Sequence, residues 1–250
     1  MKILGIIPAR FASTRFPGKP LVMIKGKSMI ERVYEQVSKS GAVDKLIVAT
    51  DDNRIFEHVN SFGGGVSMTS SQHNSGTERC NEVLEQVMRS DPGSQIDIVV
   101  NIQGDEPFID PGQVSLVTSL FKNKNVEIAT LAKQIINQDE ILNPNVVKVI
   151  FNKNHEALYF SRSPIPFIRG HEKTGWQGRS EFFKHIGIYA YRAKTLRDIV
   201  RLKPTPLETA ESLEQLRWLE NGYSIRVEIT DTDSISIDTP EDLLKITNIP

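Results

Sequence analysis

The 250-residue sequence predicts an α/β fold, a mostly parallel open sheet with helices on both faces. Three observations carry this expectation. Short, strongly apolar runs alternate with segments whose apolar residues recur at helical spacing. The runs lack the in-and-out alternation of half-solvated strands, so they suit a sheet covered on both sides. Hairpin signals between them are absent.

KILGII (2–7) reads as a first strand buried on both faces. SMIERVYEQVSKS (28–40) is a helix, with Ile30, Val33, Tyr34 and Val37 on one side. KLIVAT (45–50) is the second strand. DDNRIFEHVNSF (51–62) is a helix stopped by the glycines at 63–65, and GVSM (65–68) is a short strand. SGTERCNEVLEQVMRS (75–90) starts with a capping box, Ser75 at N-cap and Glu78 at N3. DIVVNIQ (97–103) is a strongly apolar strand. DPGQVSLVTSLFK (110–122) is a helix with Asp110 as cap and Pro111 in its first position.

The rhythm then changes. VEIATLAKQI (126–135) and NVVKVIFN (145–152) read as strands of a different grouping, with antiparallel pairing open to them. Residues 157–183, with Pro164 and Pro166, read as an irregular lobe. FKHIGIYAYR (183–192) is a strand. PLETAESLEQLRWLENG (206–222) reads as one helix ending at Gly222. YSIRVEIT (223–230) and SISI (234–237) are the last strands, and TPEDLLKIT (239–247) is the last helix. No linker divides the chain, so one domain spans 1–250, with about 151–225 contributing a smaller lobe.

Composition narrows the function. Thirty basic and 31 acidic residues give a net charge of −1, which argues against general nucleic-acid affinity. The single cysteine, Cys80, cannot form a disulfide within the chain and suits a reducing cytoplasm. No apolar run approaches the ~20 residues of a membrane span, and the opening apolar run is too short for a signal peptide. Clustered cations in a nearly neutral chain therefore point to a local anionic ligand.

IPARFASTRFPGKPL puts Arg10, Arg15 and Lys19 directly behind the first buried strand. Ligands of such sheets bind beyond the carboxyl ends of the strands, so this loop is placed to surround a polyphosphate. It is neither a Walker A loop nor a GxGxxG fingerprint. IVVNIQGDEPFI puts Asp105 and Glu106 just past another buried strand, with Gly104 allowing close approach of a ligand. A carboxylate there suits Mg²⁺, which binds through one or two carboxylates and substrate phosphates. In SISIDTPEDLLKI, Thr239, Pro240 and Asp242 account for the helix start and leave Asp238 at the end of the preceding run. Asp105 and Asp238 would serve one cation if the fold brings them together. Taken singly, each of these residues is also explained by an ordinary turn or cap.

Together, IPARFASTRFPGKPL, NIQGDEP, HIGIYAYR, PLETAESLEQLRWLENG and SIDTPEDLL resemble the 3-deoxy-manno-octulosonate (Kdo) cytidylyltransferases, nearly end to end. The opening loop also suits CMP-sialic acid synthetases. HNSGTER, NVVKVIF, ALYFSRSPIP and LEQLR narrow the resemblance to the Kdo branch. It implies a Rossmann-like nucleotidyltransferase fold, a homodimer, Mg²⁺ as cofactor, and transfer of CMP from CTP to Kdo for lipopolysaccharide synthesis. It makes the smaller lobe the sugar-binding and dimerisation part.

The resemblance further implies Arg10 and Lys19 on the phosphates of CTP, with Ser13, Arg15, Ser75 and Gly76 around the nucleotide. Asp105 and Asp238 would hold Mg²⁺. Gln103, His185, Tyr189, Glu214 and Gln215 would line the sugar site, with Arg162 for its carboxylate. His185, Tyr189, Glu214 and Gln215 also have plain readings as core or helix-surface residues. The proline-rich lobe and the LEQLRWLENG helix are the expected dimer surface, with Trp218 and Leu219 supplying apolar area. The family often carries an arginine shortly before HxSGTER. Here Ser70 and Ser71 stand in that stretch, which leaves open a related acceptor such as 8-amino-Kdo. Sialic acid as acceptor and a non-catalytic nucleotide-binding protein are the competing readings. Retention of both aspartates argues against the second. No histidine pair has zinc-ligand spacing.

Overall fold

The computed structural model describes residues 1–12, 16–91, 93 and 95–247. Its first strand, β1 (Ile3–Ala9), is buried along nearly its whole length. A small hairpin follows, β2 (Met23–Ile24) and β3 (Lys27–Ser28), turned by Lys25 and Gly26 at positive φ. Sequence reading missed it because only Gly26 marks the turn. Then come α1 (Met29–Lys39), β4 (Lys45–Thr50), α2 (Asn53–Ser61), β5 (Val66–Met68), α3 (Gly76–Ser90), β6 (Ile98–Asn101) and α4 (Pro111–Ser119). All of these were expected within two residues except the end of α4, which stops at Ser119, where a tighter turn over Leu120–Lys122 takes over. The caps are as read: Ser75 accepts from the Glu78 N–H and Asp110 from the Gly112 N–H. The reciprocal arm of the Ser75 box falls one residue early, with Glu78 accepting from the Asn74 N–H at 2.7 Å.

The second half holds β7 (Ile128–Gln134), α5 (Gln138–Leu142), β8 (Lys148–Phe151), β9 (Ala157–Ser161), β10 (Phe183–Arg192), α6 (Ala193–Ile199), α7 (Pro206–Glu211), α8 (Glu214–Glu220), β11 (Ile225–Ile229) and α9 (Pro240–Thr247). The main sheet runs β11-β7-β10-β6-β1-β4-β5, and β8 with β9 extends it beside β10. Pairing is parallel from β6 through β1 and β4 to β5, and between β11 and β7. β10 runs antiparallel to β6, β7 and β8. The sheet is thus mixed, though mostly parallel.

Four expectations are corrected. Residues 157–161 form β9, antiparallel to β8, rather than irregular chain. The 183–192 part of the expected lobe is β10, in the middle of the main sheet. The single helix over 206–222 is two short helices, broken where Ser212 adopts the left-handed conformation at φ 52°. The SISI segment is not a strand. It crosses the strand ends, held by the Gln113 amide N–H on the Thr232 carbonyl and by the Ile237 N–H on the Asp105 carbonyl, 3.0 and 2.9 Å.

Alternate residues of β1 feed two cores. Leu4 and Ile6 face α3, α6 and α8, while Ile3 and Ile7 face α1, α2 and α4. Trp218 belongs to the first core at 1% exposure, so it offers no surface to a partner, contrary to expectation. A smaller cluster of Ile135, Ile141, Trp176 and Phe182 holds the lobe around 135–182. Among the described residues, no helix is long and apolar enough to cross a membrane.

Candidate active site

Two cavities open at the carboxyl ends of β1 and β6. The first, about 310 Å³, is lined by Arg10, Lys19, Ser75, Gly76, Gln103 and Asp105 among others. Gly104 also lines it and lies so close to β1 that an added Cβ would stand 2.7 Å from the Pro8 carbonyl oxygen. That contact is why a side chain is excluded there. The start of α3 supplies backbone N–H groups and the positive end of a helix dipole. Arg10 is exposed at the cavity rim. Ser13 and Arg15 lie outside the described residues.

The separated aspartates meet. Lys19 Nζ donates to Asp105 Oδ2 at 2.7 Å and to Asp238 Oδ1 at 3.2 Å. Both carboxylates therefore reach one cation, although 133 positions separate them in the chain. The crossing segment 231–238 delivers Asp238, and the Thr239–Asp242 cap anchors it: Thr239 accepts from the Asp242 N–H, and Asp242 accepts from the Thr239 N–H. Glu106, beside Asp105, is 6% exposed, and its Oε2 has no hydrogen-bond partner among the described residues. Burial, helped by the Asp105 charge, raises its carboxyl to about 7. Among the described residues no three potential metal ligands cluster, so the protein offers two carboxylates, Asp105 and Asp238, which fits Mg²⁺ where water and phosphate oxygens complete its shell.

The second cavity, about 250 Å³, meets the first at Pro8, Gly76 and Gln103. It gathers Gln103, His185, Tyr189, Glu214 and Gln215, five of the six residues expected at the sugar site. A bulge in β10 between Ile186 and Tyr189 shapes its wall. Thr130 Oγ1 fills the bulge, within hydrogen-bond distance of the Ile186 and Ile188 carbonyls and of His185 Nε2. Gln103 Nε2 donates to the Gly187 carbonyl at 2.9 Å, which fixes its amide at the junction of the cavities. Thr77 Oγ1 donates to Glu214 Oε2 at 2.7 Å, and burial raises the Glu214 carboxyl above its ordinary value.

Arg162 is not brought to this cavity. Its guanidinium donates to the Glu211, Pro144 and Ser212 carbonyls at 2.7, 3.2 and 3.4 Å. Sequence reading also missed lining residues. Asn101, Thr77, Tyr191 and Trp218 line the second cavity, and Arg79 lines the first. Tyr191 lies two residues beyond Tyr189 on the same face of β10, a period-2 signal that was available. Arg79 carried no signal, because a mid-helix arginine reads as solvated.

Burial pulls the His185 imidazole down to about 3, so it is neutral at physiological pH. A base whose pKa is depressed on folding binds fewer protons in the native state than in the unfolded one. Its contribution to stability is therefore present above the ordinary value near 6.5 and is lost as pH falls from there toward 3. His185→Gln should flatten that dependence. The midpoint of thermal unfolding, followed between pH 7.5 and 4.5, should fall less in the variant than in the parent.

Comparison with known proteins shows the family. A sequence model of the family described as "Cytidylyltransferase" matches residues 4–229. The 3-deoxy-manno-octulosonate cytidylyltransferase of Parabacteroides distasonis is 55% identical over 249 residues, covering 98% of this chain and 96% of the relative. That of Cytophaga hutchinsonii is 50% identical over 249 residues, covering 99% and 97%. The solved structure of CMP:2-keto-3-deoxy-manno-octonic acid synthetase complexed with CTP superposes with a TM-score of 0.89 at 40% identity, covering 99% of this chain and 97% of that one. A cytidylyltransferase from Leptospira borgpetersenii, at 18% identity and a TM-score of 0.60, shares the fold. The chain therefore belongs to the cytidylyltransferase family, among the 3-deoxy-manno-octulosonate cytidylyltransferases.

Proposed function

We propose that this chain transfers CMP from CTP to the anomeric hydroxyl of Kdo, releasing pyrophosphate, as the cytoplasmic activation step that supplies Kdo for lipopolysaccharide. The observation that carries this reading is the meeting of two cavities at Pro8, Gly76 and Gln103, with cations and paired aspartates on one side and Gln103, His185, Tyr189, Glu214 and Gln215 on the other. A nucleotide in the first cavity presents its α-phosphate to a sugar in the second. The sugar hydroxyl oxygen bonds to the α-phosphorus in line as the bond to the bridging oxygen breaks, and the hydroxyl proton passes to water or to the departing pyrophosphate.

Arg10 and Lys19 offset the charge that builds on the departing pyrophosphate. Gln103, held by Gly187, and neutral His185 orient the sugar without adding charge. Asp105 and Asp238 would hold Mg²⁺, which supplies charge neutralisation at the phosphates when bound. The remaining catalysis is positioning of two bound reactants. An 8-amino acceptor is the second reading. Its support is an adjoining cavity of about 430 Å³ that shares Ser75, Leu213 and Glu214 with the site and adds the Glu78 carboxylate, although Glu208 there is already paired with Arg217.

The test is pyrophosphate release from CTP and Mg²⁺ with Kdo, 8-amino-Kdo and sialic acid in parallel. Release with Kdo supports the reading. Release only with another sugar moves the acceptor, and CTP binding without release from any of them overturns the enzymatic reading. The chain is also proposed to be a homodimer. Support comes from exposed Ile136 and Phe167 at 75% and 69%, both beside the Trp176–Gln177 turn, and no longer from Trp218. Sedimentation as a monomer at micromolar concentration would overturn it.

A further inference from the structure

The acceptor residues Glu214 and Gln215 occupy the first turn of α8, immediately after the left-handed break at Ser212. α7 and α8 span six and seven residues, too short to hold helical form or mutual orientation unaided. Something must fix the angle between them, and the structure shows what does. Arg217 Nε donates to Glu208 Oε2 at 2.7 Å, and its Nη2 pairs with Glu208 Oε1, a two-pronged contact from α8 back to α7. Arg217 Nη1 donates to the Leu202 carbonyl at 3.2 Å, in the chain ahead of α7. Glu208 also accepts from the Thr205 N–H at 3.2 Å, so one carboxylate caps α7 and receives α8. Both side chains are largely buried, at 11% and 14% exposure.

The neighbours of Arg217 on α8 face the other way. Glu214, Gln215 and Trp218 line the acceptor cavity, whereas Arg217 and Glu208 line the adjoining one behind Glu214. Thr77 ties Glu214 forward, to the helix that carries Gly76, and the Ser75 side chain at the cap of that helix joins it. The carboxylate of Glu214 is thus held between hydroxyls in front and the braced helix behind it.

We infer that the Glu208–Arg217 pair is a positioning element for the acceptor site, setting the pose of Glu214 and Gln215 without touching the substrate. The inference rests on the proposed acceptor reading. A fork of two parallel N–H···O contacts fixes orientation as well as distance, which a lysine cannot reproduce. Neither Glu208 nor Arg217 lines the first cavity, so nucleotide binding should depend on the pair far less than acceptor binding does.

The experiment measures kinetics with Kdo and CTP varied separately, together with thermal unfolding, for Arg217→Lys, Glu208→Gln and the exchange Glu208→Arg with Arg217→Glu. The single variants should raise KM for Kdo by about tenfold, the size expected for a coupled pair. KM for CTP should stay within about twofold on the same scale of independent sites. The exchange should recover part of the loss. Equal rises in both KM values, or a lowered unfolding temperature with KM for Kdo unchanged, would show a merely structural pair and overturn the inference. If the parent releases no pyrophosphate with Kdo, the acceptor reading fails instead, and the two failures are distinguishable.

Discussion

Asp105→Asn should lower the rate of pyrophosphate release on the order of 10³-fold, the scale of losing an electrostatic contact that strengthens in the transition state. The substitution keeps shape and removes one charge. Lys19 then retains Asp238, 3.2 Å away, as its carboxylate partner. Metal-free CTP should bind at least as well, since the nucleotide meets one negative charge fewer. What should vanish is the gain in CTP affinity on adding Mg²⁺, measured by titration calorimetry with and without chelator. Asp238→Asn should behave alike, and the double variant should cost little more than either single one, because both act through one site. A variant that keeps near-parental turnover would remove Asp105 from the metal site.

The second large effect concerns stability. Arg79 is 1% exposed and its guanidinium donates to Asp51 Oδ2 at 3.0 Å and to Thr69 Oγ1. It thereby ties α3 to the ends of β4 and β5 and forms part of the wall of the first cavity. Arg79→Leu leaves Asp51 and Thr69 without that partner. Removing one member of a buried pair costs about 3–5 kcal/mol. In a domain of this size that corresponds to roughly 10 °C in the unfolding midpoint. Adding Asp51→Ala to the Leu variant should cost little more, since the interaction is already gone. A fall of only a degree or two would mean that water replaces the pair, and the site's rear wall would be softer than the contacts imply.

The two effects separate what local pattern encodes from what the fold assembles. β1, β4, β6, α1, α3 and α4 were readable because burial on one or both faces imposes a period on the chain, and caps such as Ser75 and Asp110 announce themselves in adjacent residues. The same local logic failed at Ser212, where helix-forming residues continue on both sides of a break that only the packing of α8 against the sheet requires. It failed for SISI, whose alternation suits a strand, because β11 already occupies the sheet edge beside β7 and side-chain contacts to Asp110 and Gln113 carry the segment elsewhere. Trp218 was misjudged and Arg79 passed over for one reason: a residue's type and place on a helix do not say what its face meets.

For the site, the sequence by itself determined the chemistry: a basic loop behind a buried strand, acidic residues at strand ends, and a helix start suited to an anion. The resemblance supplied the roles. Only the tertiary structure decided that Asp105 and Asp238 converge on Lys19, that Gln103, His185, Tyr189, Glu214 and Gln215 share one cavity, and that Arg162 spends its guanidinium on carbonyls elsewhere. The physical reason is distance along the chain. Propensity and capping act over a few residues, whereas strand order sets which distant ends lie side by side, and that order is settled by packing of the whole sheet.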